Sequence, residues 1–210
     1  MTDFTDLVAG YRRFREHGWV EQHDRWAELS EGQSPKVMVI ACSDSRTDPA
    51  TVFDVSPGEI FVVRNVSNLV PPLEIDEARH GVSAALEFAV TQLKVEEIVV
   101  MGHGMCGGVH ASLTRRFHHA RPGEGGFIAR WIDMLDEARD RIVAQYGESE
   151  EAAHQLELET VRVSLNNLRT FPCVRTAEAE GRLSLRGAWF SIRGGVLWVM
   201  GEDGEFAPAA

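Results

Sequence analysis

Cysteine is scarce in these 210 residues, and basic charge is outnumbered. Three cysteines cannot all pair with one another, so a disulfide framework is excluded as the source of stability, and a reducing cytoplasm is the expected compartment. Lys and Arg total 21 against 32 Asp and Glu, a net charge of −11. That balance gives no basic footprint for nucleic acid or an anionic membrane. No apolar run approaches the roughly 20 residues needed to span a bilayer. The opening Thr2-Asp3-Phe4-Thr5-Asp6 lacks the basic-then-apolar start of a signal peptide. Internal repeats, low-complexity segments and linkers are also missing, so one domain over residues 1–210 is expected.

What is present concentrates at two places. Val37 to Ala41 is a short apolar run rich in β-branched residues, which suits a strand buried on both faces. It runs into Cys42, Asp44 and Arg46 in alternation. A second apolar run, Ile98 to Met101, ends on a glycine-rich turn carrying His103 and Cys106. In open parallel sheets, ligands bind at the carboxyl ends of strands. If the two strands are neighbours, Cys42, His103 and Cys106 meet at one edge. Two thiolates and one imidazole form a zinc ligand set of the catalytic kind, with one position left for water. Asp44 is placed to orient what fills that position, and Arg46 to clamp the Asp44 carboxylate in a bidentate pair.

Along the rest of the chain the spacing of Leu7, Tyr11 and Phe14, then of Trp19, His23, Trp26 and Leu29, predicts two amphipathic helices. Their position before the first strand suits packing on a partner subunit. A short helix is expected over 50–53, a strand over 59–64, a loop over 65–72 and a helix over 81–93. Another helix should follow from Val109. Beyond the Pro/Gly break at 120–126, helices are expected over 127–145 and 150–170, the latter stopped by Pro172. A strand over 183–192 then turns at Gly194-Gly195 into Val196–Met200. The order implies an α/β fold: a mostly parallel sheet with an antiparallel edge, flanked by helices.

Three other readings compete. Gly102-x-Gly104-x-x-Gly107 matches a dinucleotide fingerprint, although His and Cys occupy the positions where the backbone should approach a pyrophosphate. Cys106 could serve as a nucleophile with His103 as its base, which leaves Cys42 and Asp44 idle. A purely structural zinc site would take Asp44 as fourth ligand and leave Arg46 without a role. Cys173 reads as a small buried apolar residue, and His118-His119 as a solvated helix end.

Taken together, Ala41-Cys-Ser-Asp-Ser-Arg46, Pro57-Gly-Glu59, Arg64-Asn-Val-Ser-Asn68 and Gly102-His-x-x-Cys-Gly-Gly108 resemble the β-class carbonic anhydrases. The likeness runs in order from about Gly32 to Gly108, with scattered fits later at 164–168 and at Gly187. It implies reversible hydration of CO2 to bicarbonate by a zinc-bound hydroxide, with Zn2+ on Cys42, His103 and Cys106 and a catalytic dyad of Asp44 and Arg46. It also implies substrate contacts from Gln33, Gly104 and an apolar pocket of Phe61, Val66 and Phe88, where plant-like members carry tyrosine at the Phe88 position. A homodimer, homotetramer or larger assembly with active sites at the subunit interface follows from the same likeness. The bicarbonate-site tryptophan, arginine and tyrosine of allosteric bacterial members read Val39, Arg64 and Phe190 here. That favours the open, plant-like subclass, in which Asp44 would join zinc only in a closed state. Carbonyl sulfide hydrolases share this ligand set and stand as the internal alternative.

Overall fold

β-branched and apolar residues at 37–42, 60–65 and 97–103 build the parallel heart of the sheet in this computed structural model, which describes residues 2–209. By chain contacts the protein divides into two units, one ending at Ser34 and one beginning at Pro35.

The first unit holds α1 (Phe4–Glu16), α2 (Gly18–Glu21) and α3 (His23–Ser30). Where two helices were expected there are three, because the second stretch breaks at Gln22. Asp3 and Asp6 close a reciprocal capping box at the start of α1, satisfying amides the helix itself leaves open. Phe14 packs edge-on against Trp26 at 5.8 Å, and the Arg15 guanidinium lies 3.8 Å over the Trp19 ring. Even so, α1 has no buried residue, and Phe4, Leu7 and Tyr11 remain exposed on one stripe.

Among the described residues the second unit carries a six-stranded sheet, in spatial order β2-β1-β3-β4-β5-β6. The strands are β1 (Val37–Cys42), β2 (Ile60–Asn65), β3 (Glu97–His103), β4 (Ser184–Ser191), β5 (Val196–Met200) and β6 (Phe206–Pro208). β2, β1, β3 and β4 run parallel, while β5 and β6 add antiparallel edges. The short helix α4 (Pro49–Val52) starts on Pro49 and is capped by Asp48. α5 (Gly81–Glu87) continues as a π-helical turn over Phe88–Leu93, so the helix expected over 81–93 changes winding halfway. α6 (Gly107–Leu113) follows β3. The helix expected over 127–145 is divided by a 3₁₀ turn at Asp133–Leu135 into α7 (Gly126–Ile132) and α8 (Asp136–Tyr146).

The long α9 (Glu150–Leu168) covers one sheet face: Val161, Leu165 and Leu168 pack among Met38, Ile40, Ile98 and Val100. Pro172 does stop that helix, but it also opens α10 (Pro172–Ala179). Proline suits the first helical position, where no amide partner is lost. A second cluster, with Leu69, Val109, Leu113, Leu135 and Leu156, surrounds Cys42 and Cys106. The ligand edge is therefore walled in part by apolar side chains.

Candidate metal centre and active site

The parallel register sets Ala41 opposite Met101, so β1 and β3 end together. Their last residues are Cys42 and His103. The chain leaves β3 through Gly104 and Met105 and returns Cys106 to the same edge. Met105 sits at φ 59°, a left-handed conformation that an ordinary side chain adopts at a cost of order 1–3 kcal/mol. The result is that Cys42, His103 and Cys106 place their ligand atoms within 4.8 Å of one another, all three side chains buried.

Each ligand is oriented from behind. His103 Nδ1 meets the Gly104 carbonyl at 2.9 Å, which makes Nδ1 the protonated nitrogen and turns the Nε2 lone pair inward. Nε2 is buried without a hydrogen-bond partner among the described residues. Such an orphaned acceptor is expensive unless something fills the space. Ser67 Oγ lies 3.5 Å from Cys106 Sγ, held there by a left-handed backbone at φ 62°. The fit is tight, since a Cβ on Gly108 would meet Ser67 Oγ at 2.2 Å and Val66 Cγ1 at 2.7 Å. Helix α9 fixes the Ser67 loop: Asn68 donates to Thr160 Oγ1, Ser164 donates to the Asn68 carbonyl, and Asn167 donates to the Val70 carbonyl.

Two buried thiols 4.0 Å apart do not ionise together. The contact with Cys106, then burial, push the Cys42 thiol up. Cys106 goes down, first through the S–H of Cys42 beside it, then through Ser67 and the backbone N–H groups of Val109 and Gly108. A divalent cation would remove the conflict by displacing both protons. The donor set also fits zinc in spacing. Two sulfurs tetrahedrally bound at about 2.3 Å would stand about 3.8 Å apart, close to the 4.0 Å observed.

At the rim the Asp44 carboxylate is held by Arg46 on both oxygens: Nε donates to Oδ1 at 2.9 Å and Nη2 to Oδ2 at 2.7 Å. The Arg46 backbone amide adds a third bond at 3.0 Å. The guanidinium holds the Asp44 carboxyl well below the usual carboxylate range. Nη2 also donates to the Met105 carbonyl at 3.1 Å, so the dyad and the ligand turn are tied together. Arg64 braces the dyad from β2, donating to the carbonyl oxygens of Cys42 at 2.9 Å and Asp44 at 2.6 Å, and to the Asp48 carboxylate at 3.1 Å.

The remaining sequence candidates divide. Val66 stands at the ligand edge against the Gly108 position. The Gly104 carbonyl is taken by His103 and its amide by the Phe190 carbonyl. Phe61 and Phe88 pack on each other at 6.0 Å between ring centres. They are not brought to Cys42 of their own chain. Phe61 registers with Met38 while Cys42 registers with Asn65, four strand residues or about 13 Å apart. Gln33 is exposed in the first unit. Two glycines of the alternative phosphate fingerprint are accounted for by packing, since a Cβ on Gly102 would meet Val161 at 3.0 Å and on Gly104 Trp189 at 3.1 Å, while a Cβ on Gly107 would meet nothing within 4 Å. Reasoning from sequence missed Ser67, although its Asn-Val-Ser-Asn setting was noticed. It also missed Glu157, whose carboxylate accepts from the Cys106 amide at 3.3 Å. The available signal was helical spacing, which sets Glu157 on the buried face with Thr160, Val161 and Ser164.

Comparison with known proteins agrees with this geometry. A family model described as carbonic anhydrase matches residues 37–197. Beta carbonic anhydrase 3 of Arabidopsis thaliana is 34% identical over 206 residues, spanning 97% of this chain and 79% of that protein. Among solved structures, the β-carbonic anhydrase CcaA superposes with a TM-score of 0.89 at 29% identity, over 98% of this chain and 92% of the other. A tetrameric β-carbonic anhydrase from Sordaria macrospora superposes at 0.80 with 27% identity, over 99% and 98%.

Proposed function

This chain belongs to the β-carbonic anhydrases, lyases that act on CO2, and we propose that it hydrates CO2 reversibly at a zinc site formed by Cys42, His103 and Cys106. One observation carries the reading: three buried ligand atoms within 4.8 Å of one another, one of them an imidazole nitrogen otherwise unpartnered. When bound, zinc supplies Lewis acidity that lowers the pKa of a coordinated water far below its bulk value of about 15.7. Asp44, kept ionised and turned toward Arg46, accepts the proton of the attacking water in a hydrogen bond and so aims the oxygen lone pair at carbon. Arg46 fixes that aim, being anchored at once to Asp44 and to the Met105 carbonyl. Because both Asp44 oxygens already accept from Arg46, the arrangement supports the open subclass, with Asp44 off the metal. Val39 and Phe190 in place of the bicarbonate-site residues support the absence of cooperative bicarbonate inhibition.

Val66 lines the CO2 side of the site in this reading. Phe61 and Phe88, distant from their own Cys42, complete the site of a second copy, which makes the active unit a homodimer or a homotetramer. The exposed Phe4–Leu7–Tyr11 stripe of α1 is the surface proposed to pack on that partner. Gln33 as an amide donor to substrate rests on the resemblance alone. Three free thiols suit a reducing cytoplasm, and the net charge of −11 argues against nucleic acid or membrane as partners.

Stopped-flow CO2 hydration, with zinc content measured before and after chelation, tests the proposal. About one zinc per chain, with turnover lost on chelation and restored by zinc, is expected. A zinc-loaded chain that does not hydrate CO2 refutes it. Faster turnover of carbonyl sulfide than of CO2 would move the assignment to the alternative substrate.

A further inference from the structure

Helix α9 lies unusually close behind the ligand turn. A Cβ on Gly102 would stand 3.0 Å from Val161 Cγ2 and 3.4 Å from the Glu157 carbonyl oxygen. That approach delivers one carboxylate, Glu157, to the back of Cys106. Glu157 is 6% exposed, and its Oε1 accepts from the Cys106 amide at 3.3 Å. Its other oxygen lies 3.8 Å from Nδ1 of His154, one turn earlier on the same helix. The His154 ring is held edge-on against Trp189 at 4.9 Å.

Burying a carboxylate costs several kcal/mol unless it is paired and hydrogen-bonded. A helix that had only to cover β3 would carry an apolar residue here, as α9 does at Leu156, Val161 and Leu165. The amide that Glu157 binds belongs to the peptide joining Met105, at φ 59°, to Cys106. Holding that amide fixes the plane of the peptide, and with it the direction in which the Cys106 Cα–Cβ bond leaves the chain. Arg46 holds the same peptide from its other end, through the Met105 carbonyl, while Ser67 acts on the sulfur, so Glu157 is the clamp on the amide end of that plane.

We propose that Glu157 is a positioning residue for the metal centre, its Oε1 aiming the Cys106 sulfur at Cys42 and His103, with His154 beside its other oxygen on the solvent side. The proposal deepens the zinc reading of Cys106 and rests on it. Glu157 reaches the ligand only through the backbone, so its effect should follow acceptor geometry rather than charge.

Three substitutions separate these. Glu157→Ala removes the acceptor, Glu157→Asp withdraws it by one methylene, and Glu157→Gln keeps an oxygen in place while removing the charge. Zinc dissociation constants from chelator competition should weaken by about 10–100-fold for Ala and Asp, as losses behind a metal ligand typically do, and should stay near wild type for Gln. The thiolate-to-cobalt charge-transfer absorption of Co(II)-loaded protein should shift in Ala and Asp and not in Gln. If Glu157→Ala fails to fold, the Asp variant carries the test. Wild-type affinity and spectrum in the Asp variant, or equal losses in Gln and Asp, overturn the proposal while leaving the zinc reading intact. A wild-type chain that takes up no zinc overturns both.

Discussion

The buried and the exposed halves of the site follow opposite rules. Cys42, His103 and Cys106 are 5%, 1% and 3% exposed; the two sulfurs face each other at 4.0 Å, with Ser67 Oγ 3.5 Å from that of Cys106, and among the described residues Nε2 has no hydrogen-bond partner. Asp44 and Arg46, with side chains 18% and 45% exposed, pair through both carboxylate oxygens. On the proposed zinc reading, a cation would displace the thiol protons of the first group and take up the Nε2 lone pair. The second is finished without one, and solvent screening means the pair adds little to stability. An enzyme site assembled this way separates holding the metal from aiming the nucleophile, and each half can be broken alone.

Breaking the buried half should have the largest effect. Cys106→Ser is expected to lose most of the zinc and essentially all CO2 hydration, measured by metal analysis and stopped flow. A variant with full zinc and full activity would refute the ligand assignment. Breaking the exposed half should leave zinc content and melting temperature as they are. Arg46→Ala and Asp44→Asn are each expected to cost about two to three orders of magnitude in turnover, the range of positioning and proton-transfer groups. If the structural-zinc reading were right, Asp44→Asn would instead release metal, and Arg46→Ala would change nothing.

A smaller effect presses on the buried half without touching a ligand. Gly108→Ala drives a Cβ into Ser67 Oγ and Val66, and overpacking of this kind costs about 1–3 kcal/mol, readable as a lower midpoint in denaturant. Unchanged stability would mean the Ser67 loop yields easily. The smallest effect is electrostatic. Glu157 raises the pKa of His154, against the lowering by burial. A raised histidine stabilises the fold fully below its unfolded value near 6.5 and ceases to as pH rises through the folded value. His154→Gln should therefore lower the melting temperature slightly at acid pH and not at alkaline pH. Its side chain is 42% exposed, so screening keeps the difference small. A deficit that grows with pH would contradict the pairing.

How much of this the residues announced depends on distance along the chain. Cys42, Asp44 and Arg46 were legible because they alternate at the end of one apolar strand, where local spacing alone sets their relation. His103 and Cys106 were legible for the same reason at a second strand. The sheet and its antiparallel addition followed from periodicity. What stayed hidden depends on tertiary proximity or on conformations that side-chain pattern does not encode. β6 is three residues long and ends on Pro208, which suits an edge and nothing longer. The π turn after Glu87 leaves no mark in apolar spacing. Glu157 is one acid among several on α9, and only its approach to a turn 51 residues earlier gives it meaning. Phe61 and Phe88 were grouped with the ligand edge by resemblance, whereas the register of β1 and β2 sets them apart from it within one chain.

The two thiols of the ligand set are 64 residues apart, one at the end of β1 and one on the turn just after β3, and these strands pair in parallel and so need a crossover between them. That separation fixes an order of events in time. Loop closure over such a span must precede any contact between the strand ends, and contacts of this kind are among the slow ones in folding. The full three-ligand set, unlike the local His103–Cys106 pair, therefore exists only once β1 and β3 have paired. Zinc should leave the refolding rate of the chain unchanged and act on the opposite limb, slowing escape from the native state. On the proposed zinc reading, metal loading would be a seal applied after assembly, its worth a lifetime rather than a faster start.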